Sequence, residues 1–376
     1  MPQGDRTAAV ATAPAVKASN RRGYLDWLRG IAVLIMIEAH LVDSWTGVPD
    51  RNTKLFAWSM VLGGFGAPLF LLLAGVAASL SAGSKARRGG EQWAAAVAVM
   101  RRGLEVFGLA FLFRLQAWIL GWSSYKMLLR VDILNLMGLA IIAAAVLWGL
   151  GSGPRRMGLF LLATLATSLL TPLVRSASWL ADLPNPLEAY IRPAGPYSAF
   201  PFFPWAGFVF AGGLIGVLLD GRTSMTPRSE ARLNTWFGVG GAILALAAFG
   251  ASFLPTPYRR SDFWTSSPSF FLLRLGLLTL SIGLAYAWER RPWSHGWSWV
   301  QQLGRSSLFI YWVHVELVYG LVSIPLHHKL AFWQSCIALV LFSALMLYLS
   351  LAKDRYVAAR QAAPEPLAGT SPAALT

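Results

Sequence analysis

Residues 24–45 read YLDWLRGIAVLIMIEAHLVDSW, and this stretch decides the fold. It is long and apolar enough to cross a hydrocarbon core, which takes about 20 residues of helix. Yet it carries Asp26, Arg29, Glu38, His40 and Asp43. At about 100° per residue, Asp26, Arg29, Val33, Met36, His40 and Asp43 advance by alternating threes and fours and share one stripe. Arg29 and His40 stand about 16 Å apart along the axis at the standard helical rise. An ionisable group inside a span costs roughly 2.5 to 3.5 kcal/mol on the insertion scale, so such groups persist where they pair or function. The stripe therefore faces protein or water. The plain structural alternative is an Asp26–Arg29 pair with His40 as a capped interface histidine.

Outward from this stretch, the chain repeats the apolar pattern. Of its 376 residues, 56% are hydrophobic and 13% charged, and the mean hydropathy is +0.52; this composition excludes an ordinary soluble domain. Ten apolar runs can be read: 24–42, 56–80, 103–122, 133–150, 157–174, 200–219, 236–254, 270–288, 307–325 and 330–352. Runs that are apolar all round, such as 133–150, indicate helices, because strands of a membrane barrel alternate. The fold class is all-α, a polytopic membrane protein of about ten transmembrane helices.

Lys and Arg are unevenly shared between the two sides. The termini and the loops near 81–102, 151–156, 221–235 and 289–300 hold 19, the opposite loops nine. Positive charge is retained in the cytoplasm, so both termini are expected there. Arg29, Arg114, Arg274 and Arg305 fall within or at the ends of spans. The net charge of +15 is scattered through short loops, which fits topology and anionic lipid and argues against nucleic acid.

The expected organisation is a disordered tail over 1–22, a ten-helix domain over 23–352 and a disordered tail over 353–376. Residues 1–22 lack an apolar core of their own, so they read as a tail and not a cleavable leader. Cys336, the one cysteine, is expected as a small core residue. The longest connection on the far side, 175–199, contains four prolines and is expected as an ordered lid, a wall or a solvated connector. Trp45, Trp58, Trp122, Trp179, Trp293 and Trp297 lie near span ends and read as interfacial anchors. Clusters such as Gly63, Gly64, Gly66 and Ala67, or Gly212 and Gly216, read as close helix packing.

DWLRGIAVLIMIEAH (26–40) resembles the opening helix of membrane acyltransferases of the acyltransferase-3 type, in which Arg-Gly follows Asp by three residues and His follows the Arg by eleven. The Asp-x-x-Arg-Gly opening also resembles the heparan-alpha-glucosaminide N-acetyltransferase catalytic family. Further segments resemble these families in order. They are PLFLLLAGV (68–76), MRRGLEVFG (100–108), RVDILNLMGLA (130–140), FPFFPWAGFVFAGGLIG (200–216) and LGRSSLFIYWVHVELVYG (303–320). The His position matches the first family better. Glu105 stands where that family often has a further Arg, and residues 44–56 lack the loop histidine expected of the second. In that second branch either His40 substitutes or the acceptor chemistry differs.

The resemblance implies transfer of an acyl group, typically acetyl, from cytoplasmic acyl-CoA to a hydroxyl or amine of an outward-facing glycan. Acetyl-CoA or another acyl-CoA is then the donor, with a carbohydrate acceptor and membrane lipid as the other partners. The implied location is a cell membrane, with short loops fitting the bacterial cytoplasmic one. His40 is the implied catalytic centre, as a general base or as a covalent acyl carrier, with Asp26 and Arg29 beneath it. Arg29, Arg101, Arg102 and Lys85 could meet CoA phosphates, or serve only topology. Asp43, Asp132, Asn135 and Tyr311 are candidates for substrate contacts. Asp132 and Asn135 could equally cap their helix.

Ser307, Tyr311 and His314 share a face of the ninth span, with Glu316 nearby. His314 either orients His40 or makes an interhelical hydrogen bond. His327 and His328 are adjacent, so their side chains diverge, and without a third ligand no metal is expected. The rival function is a small-solute or proton-coupled transporter that uses the buried Asp26, Arg29 and His40.

Overall fold

The computed structural model describes residues 22–121, 125–220, 226–292 and 296–362. The chain is an all-α polytopic membrane protein. In order the helices are α1 (Gly23–Trp45), α2 (Lys54–Gly63), α3 (Gly66–Arg87), α4 (Gln92–Gly121), α5 (Ile133–Leu150), α6 (Gly153–Ser176) and α7 (Asn185–Ile191). There follow α8 (Phe202–Asp220), α9 (Pro227–Ala251), α10 (Pro268–Glu289), α11 (Trp299–Arg305), α12 (Ser307–Tyr319) and α13 (Phe332–Ala362). Among the described residues seven segments are long and apolar enough to cross a membrane, and α12 is a shorter apolar helix. The charges of α1 keep it out of that set.

Each sequence run finds a helix, but some ends differ. The run 56–80 is broken between α2 and α3 around Gly64 and Phe65. The run 307–325 is helical only to Tyr319, after which Leu321–Leu326 forms a 3-10 turn. α13 continues to Ala362, ten residues past the expected end at 352; the tails 1–21 and 363–376 lie outside the described residues, as do Trp122 and Trp293. Trp58, Trp179 and Trp297 are exposed, but Trp45 is buried and donates its indole N–H to the Val318 carbonyl at 3.2 Å. It is a core residue, not an anchor. Cys336 is likewise corrected, because it is exposed on α13, where hydrocarbon can cover a thiol as well as a core can.

Helices in lipid cannot use the hydrophobic effect against one another, so they associate through close backbone contact. The stretch that carries the first helix shows this twice. A side chain at Gly30 would sit 1.9 Å from the Val300 carbonyl oxygen of α11, and one at Gly304 would sit 1.9 Å from the Asp26 carbonyl oxygen of α1. Two glycines facing each other's partner backbone thus clamp α1 to α11. Above that clamp, Val33, Ile37 and Leu41 of α1 pack with Ile310 and Val318 of α12 and Phe342 and Met346 of α13.

Candidate functional site

Three of the six residues of the predicted stripe of α1 are buried, and Arg29, His40 and Asp43 are partly exposed. Asp26 is 3% exposed, Val33 0% and Met36 6%. At the N-terminal end of α1, the Asp26 carboxylate accepts from Arg29 at 3.0 Å, and Arg305 of α11 approaches it at 3.8 Å. Lys353 of α13 donates to Ser306 at 3.0 Å just beyond α11. Three cations therefore gather there around the buried Asp26, the half-exposed Asp354, which pairs with Lys353 at 3.0 Å, and the α11–α12 break. Asp43, at the other end, is half-exposed and makes a 2.7 Å ion pair with Arg51.

His40 meets His314 of α12. Their rings stack with centroids 5.1 Å apart, and Nδ1 of His40 lies 2.9 Å from Nε2 of His314. Nδ1 of His314 lies 2.8 Å from the Ile310 carbonyl oxygen. A carbonyl can only accept, so His314 carries its proton on Nδ1 and presents a lone pair on Nε2. That lone pair must receive the N–H of His40 Nδ1. Neutral His40 is left with its own lone pair on Nε2, which no described residue bonds. His314 is completely buried and is flanked by the Tyr311 ring at 5.8 Å.

His40 and Tyr311 line a cavity of about 480 Å³, a size that holds a small ligand. Its floor comes from Met36 and Ala39 of α1 and from the α2–α3 break. A side chain at Gly64 would come within 3.0 Å of the Arg274 guanidinium, so the break leaves room for that arginine. Residues Pro193 and Ser198 to Pro201 wall one side. The 175–199 connection is therefore an ordered wall. Its Arg192 binds Glu188 at 2.6 Å and the Arg175 carbonyl at 3.1 Å, while Ala199 N–H donates to Val131 at 3.0 Å.

The remaining candidates divide. Asp132 and Asn135 form a reciprocal cap on α5: Asp132 accepts from the Leu134 and Asn135 backbone, and Asn135 accepts from the Asp132 N–H at 3.1 Å. Asp132 also pairs with Arg114 at 3.1 Å, and Asn135 donates to the Tyr190 hydroxyl at 3.4 Å. Burial raises the Asp132 carboxyl from its ordinary pKa, with Arg114 opposing that rise. These side chains are committed to protein partners. Arg101 and Arg102 stand exposed on α4, and Arg102 pairs with Glu105 at 2.7 Å; the structure does not gather them with Arg29. Among the described residues no group of three or more His, Cys, Asp or Glu could hold a metal. His327 approaches Ser323 at 3.0 Å and the Val318 carbonyl at 3.1 Å.

The sequence reading gave no role to Arg175 and Arg274, which both line the cavity. Arg274 had a usable signal, since an arginine inside a span is a functional candidate by default. Arg175 had none, because it lies at a helix end among other loop cations.

Residues 21–242 match the family described as heparan-alpha-glucosaminide N-acetyltransferase, catalytic. The matched region runs from α1 into α9, so it contains His40 and Arg175 but ends before His314 and Arg274. No curated protein matches the chain.

Proposed function

The chain belongs to the heparan-alpha-glucosaminide N-acetyltransferase catalytic family, and on that premise we propose that it moves an acyl group, acetyl in the first instance, from acyl-CoA to a carbohydrate hydroxyl or amine. The donor's phosphates bind at the cationic N-terminal end of α1, where Arg29, Arg305 and Lys353 gather. The acceptor enters the cavity beside His40. Both termini face the cytoplasm in this reading, so donor and acceptor arrive from opposite sides.

The observation that carries the reading is the His40–His314 pair, which aims one bonded nitrogen of His40 into protein and leaves the other free at a ligand-sized cavity. Nε2 of His40 takes the proton of the acceptor O–H or N–H as that atom attacks the thioester carbonyl. The new C–O or C–N bond forms, the C–S bond breaks, and the sulfur leaves with the electron pair. The proton then passes from His40 to the thiolate, which restores neutral His40. Positioning His40 in this way supplies general-base catalysis, worth typically about 10²- to 10⁴-fold. Asp26 acts indirectly, by holding Arg29 and Arg305 in place.

Purified protein in detergent should bind acetyl-CoA in calorimetry and transfer labelled acetyl to an amino sugar. Binding of acetyl-CoA without transfer by any amine or hydroxyl sugar would remove the acceptor assignment. Absence of acetyl-CoA binding would instead favour a transporter that uses the same buried groups.

A further inference from the structure

The cavity beside His40 is basic in a way that the proposed transfer does not itself require. Arg274 and Arg175 both line it, and among the described residues no Asp or Glu does. The Nε atoms of both arginines are buried without a hydrogen-bond partner. Arg274 lies against the faces of Phe270, at 4.1 Å, and Phe65, at 5.9 Å. Cation–π contacts hold a guanidinium by its flat face and leave the N–H groups at its edge available. Among the described residues no acidic side chain pairs with Arg274. Glu38, two residues before His40, accepts from Ser59 through one carboxylate oxygen, and its other oxygen is buried behind Gly63 and is not itself part of the lining. Asp262 acts on Arg175 but accepts from the Thr265 backbone and hydroxyl at 2.9 and 2.8 Å.

A buried cation without a counter-charge is costly, and an occupant that brings a negative charge removes that cost. The same walls carry Trp205, Phe208 and Trp264, aromatic surfaces suited to the apolar faces of a sugar ring. We infer that the cavity selects an acceptor bearing an anionic group, a carboxylate or a phosphate ester, which the edge of Arg274 receives with Arg175 in support while the acylated atom faces His40. This inference rests on the acyl-transfer reading and adds the charge of the acceptor to it. Arg274 and Arg175 are specificity residues in this scheme.

The test compares glucosamine with glucosamine 6-phosphate and muramic acid as acceptors, with the full chain purified in detergent and acetyl-CoA as donor. The expected result is a kcat/KM at least about tenfold higher for the anionic sugars, the size of one hydrogen bond to a charged group. Arg274→Gln should collapse that ratio, Arg274→Lys should keep part of it, and Arg175→Gln should reduce it less. A ratio near one in the unaltered protein would overturn the inference. So would an Arg274→Gln protein in which both acceptor classes fall equally, since that marks a structural or catalytic role. A rise in the KM of acetyl-CoA, with acceptor preference kept, would assign the anion to the donor and also overturn it.

Thermal stabilisation without donor separates this inference from the reading beneath it. Stabilisation by glucosamine 6-phosphate but not glucosamine, lost in Arg274→Gln, with no acetyl transfer to any acceptor, would keep the anion site and remove the acyltransferase. Transfer with no charge preference would do the reverse.

Discussion

The two ends of α1 are built from similar residue types and do opposite things with them. At the N-terminal end, Asp26 is buried, bonded to Arg29 and approached by Arg305, under a clamp in which Gly30 and Gly304 let two backbones touch. At the C-terminal end, His40 gives one nitrogen to a buried partner and keeps the other free at a cavity, with two arginines nearby whose Nε atoms find no bond. One end gathers cations around a buried acid, and the other sets two arginines at a cavity whose described lining includes no acid. The difference teaches that ionisable residues along a single helical stripe need not share a role: at one end an acid gathers cations, and at the other a histidine keeps one nitrogen unbonded beside a cavity.

The sharpest way to break the comparison is at the open end. His40→Ala should lower acetyl transfer by about 10²- to 10⁴-fold while the protein still inserts and folds, because it removes the base and little packing. Labelled-acetyl assays beside size-exclusion profiles check this, and retained transfer would place the base elsewhere. His314→Phe keeps a ring to stack on His40 but removes the acceptor nitrogen. A fall in kcat of about 10- to 100-fold, with both KM values little moved, is the expected mark of a residue that acts through another.

The closed end should respond in binding and stability. Arg29→Gln should raise the KM of acetyl-CoA about 10-fold or more, the worth of a lost charged hydrogen bond, and leave acceptor KM near its starting value; steady-state kinetics in both substrates decide. Gly304→Ala should destabilise the fold by about 1 to 3 kcal/mol, since the new methyl meets the Asp26 carbonyl and backbone must shift. Thermal unfolding in detergent measures it, and an unchanged midpoint would mean that the clamp yields easily. The smallest effect belongs to Arg102→Ala. Its partner Glu105 is as exposed as it is, and exposed ion pairs contribute about 0 to 1 kcal/mol, so activity and midpoint should both stay close to the unaltered protein.

Much of this was legible in the order of residues. The bilayer tolerates only elements that satisfy their own backbone, so long apolar runs had to be helices whatever their neighbours. Helical periodicity put Asp26, Arg29 and His40 on one stripe, and the cost of intramembrane charge made that stripe face protein. The same periodicity put Tyr311 and His314 on one face of a distant helix. No local rule could bring that face to His40, nor choose between an orienting role and a simple interhelical bond.

Only the tertiary structure decided which nitrogen of His40 is free, because that depends on the Ile310 carbonyl behind His314. It decided that Asp132 and Asn135 spend their polar atoms on a cap, with Arg114 and Tyr190 as further partners. It also gathered Arg175 and Arg274, which are 99 positions apart in sequence, into one cavity. The reason is physical. Membrane solvation acts on each segment separately and so can be read along the chain, whereas a hydrogen-bond network or an uncompensated charge exists only between segments, once packing has fixed what stands beside what.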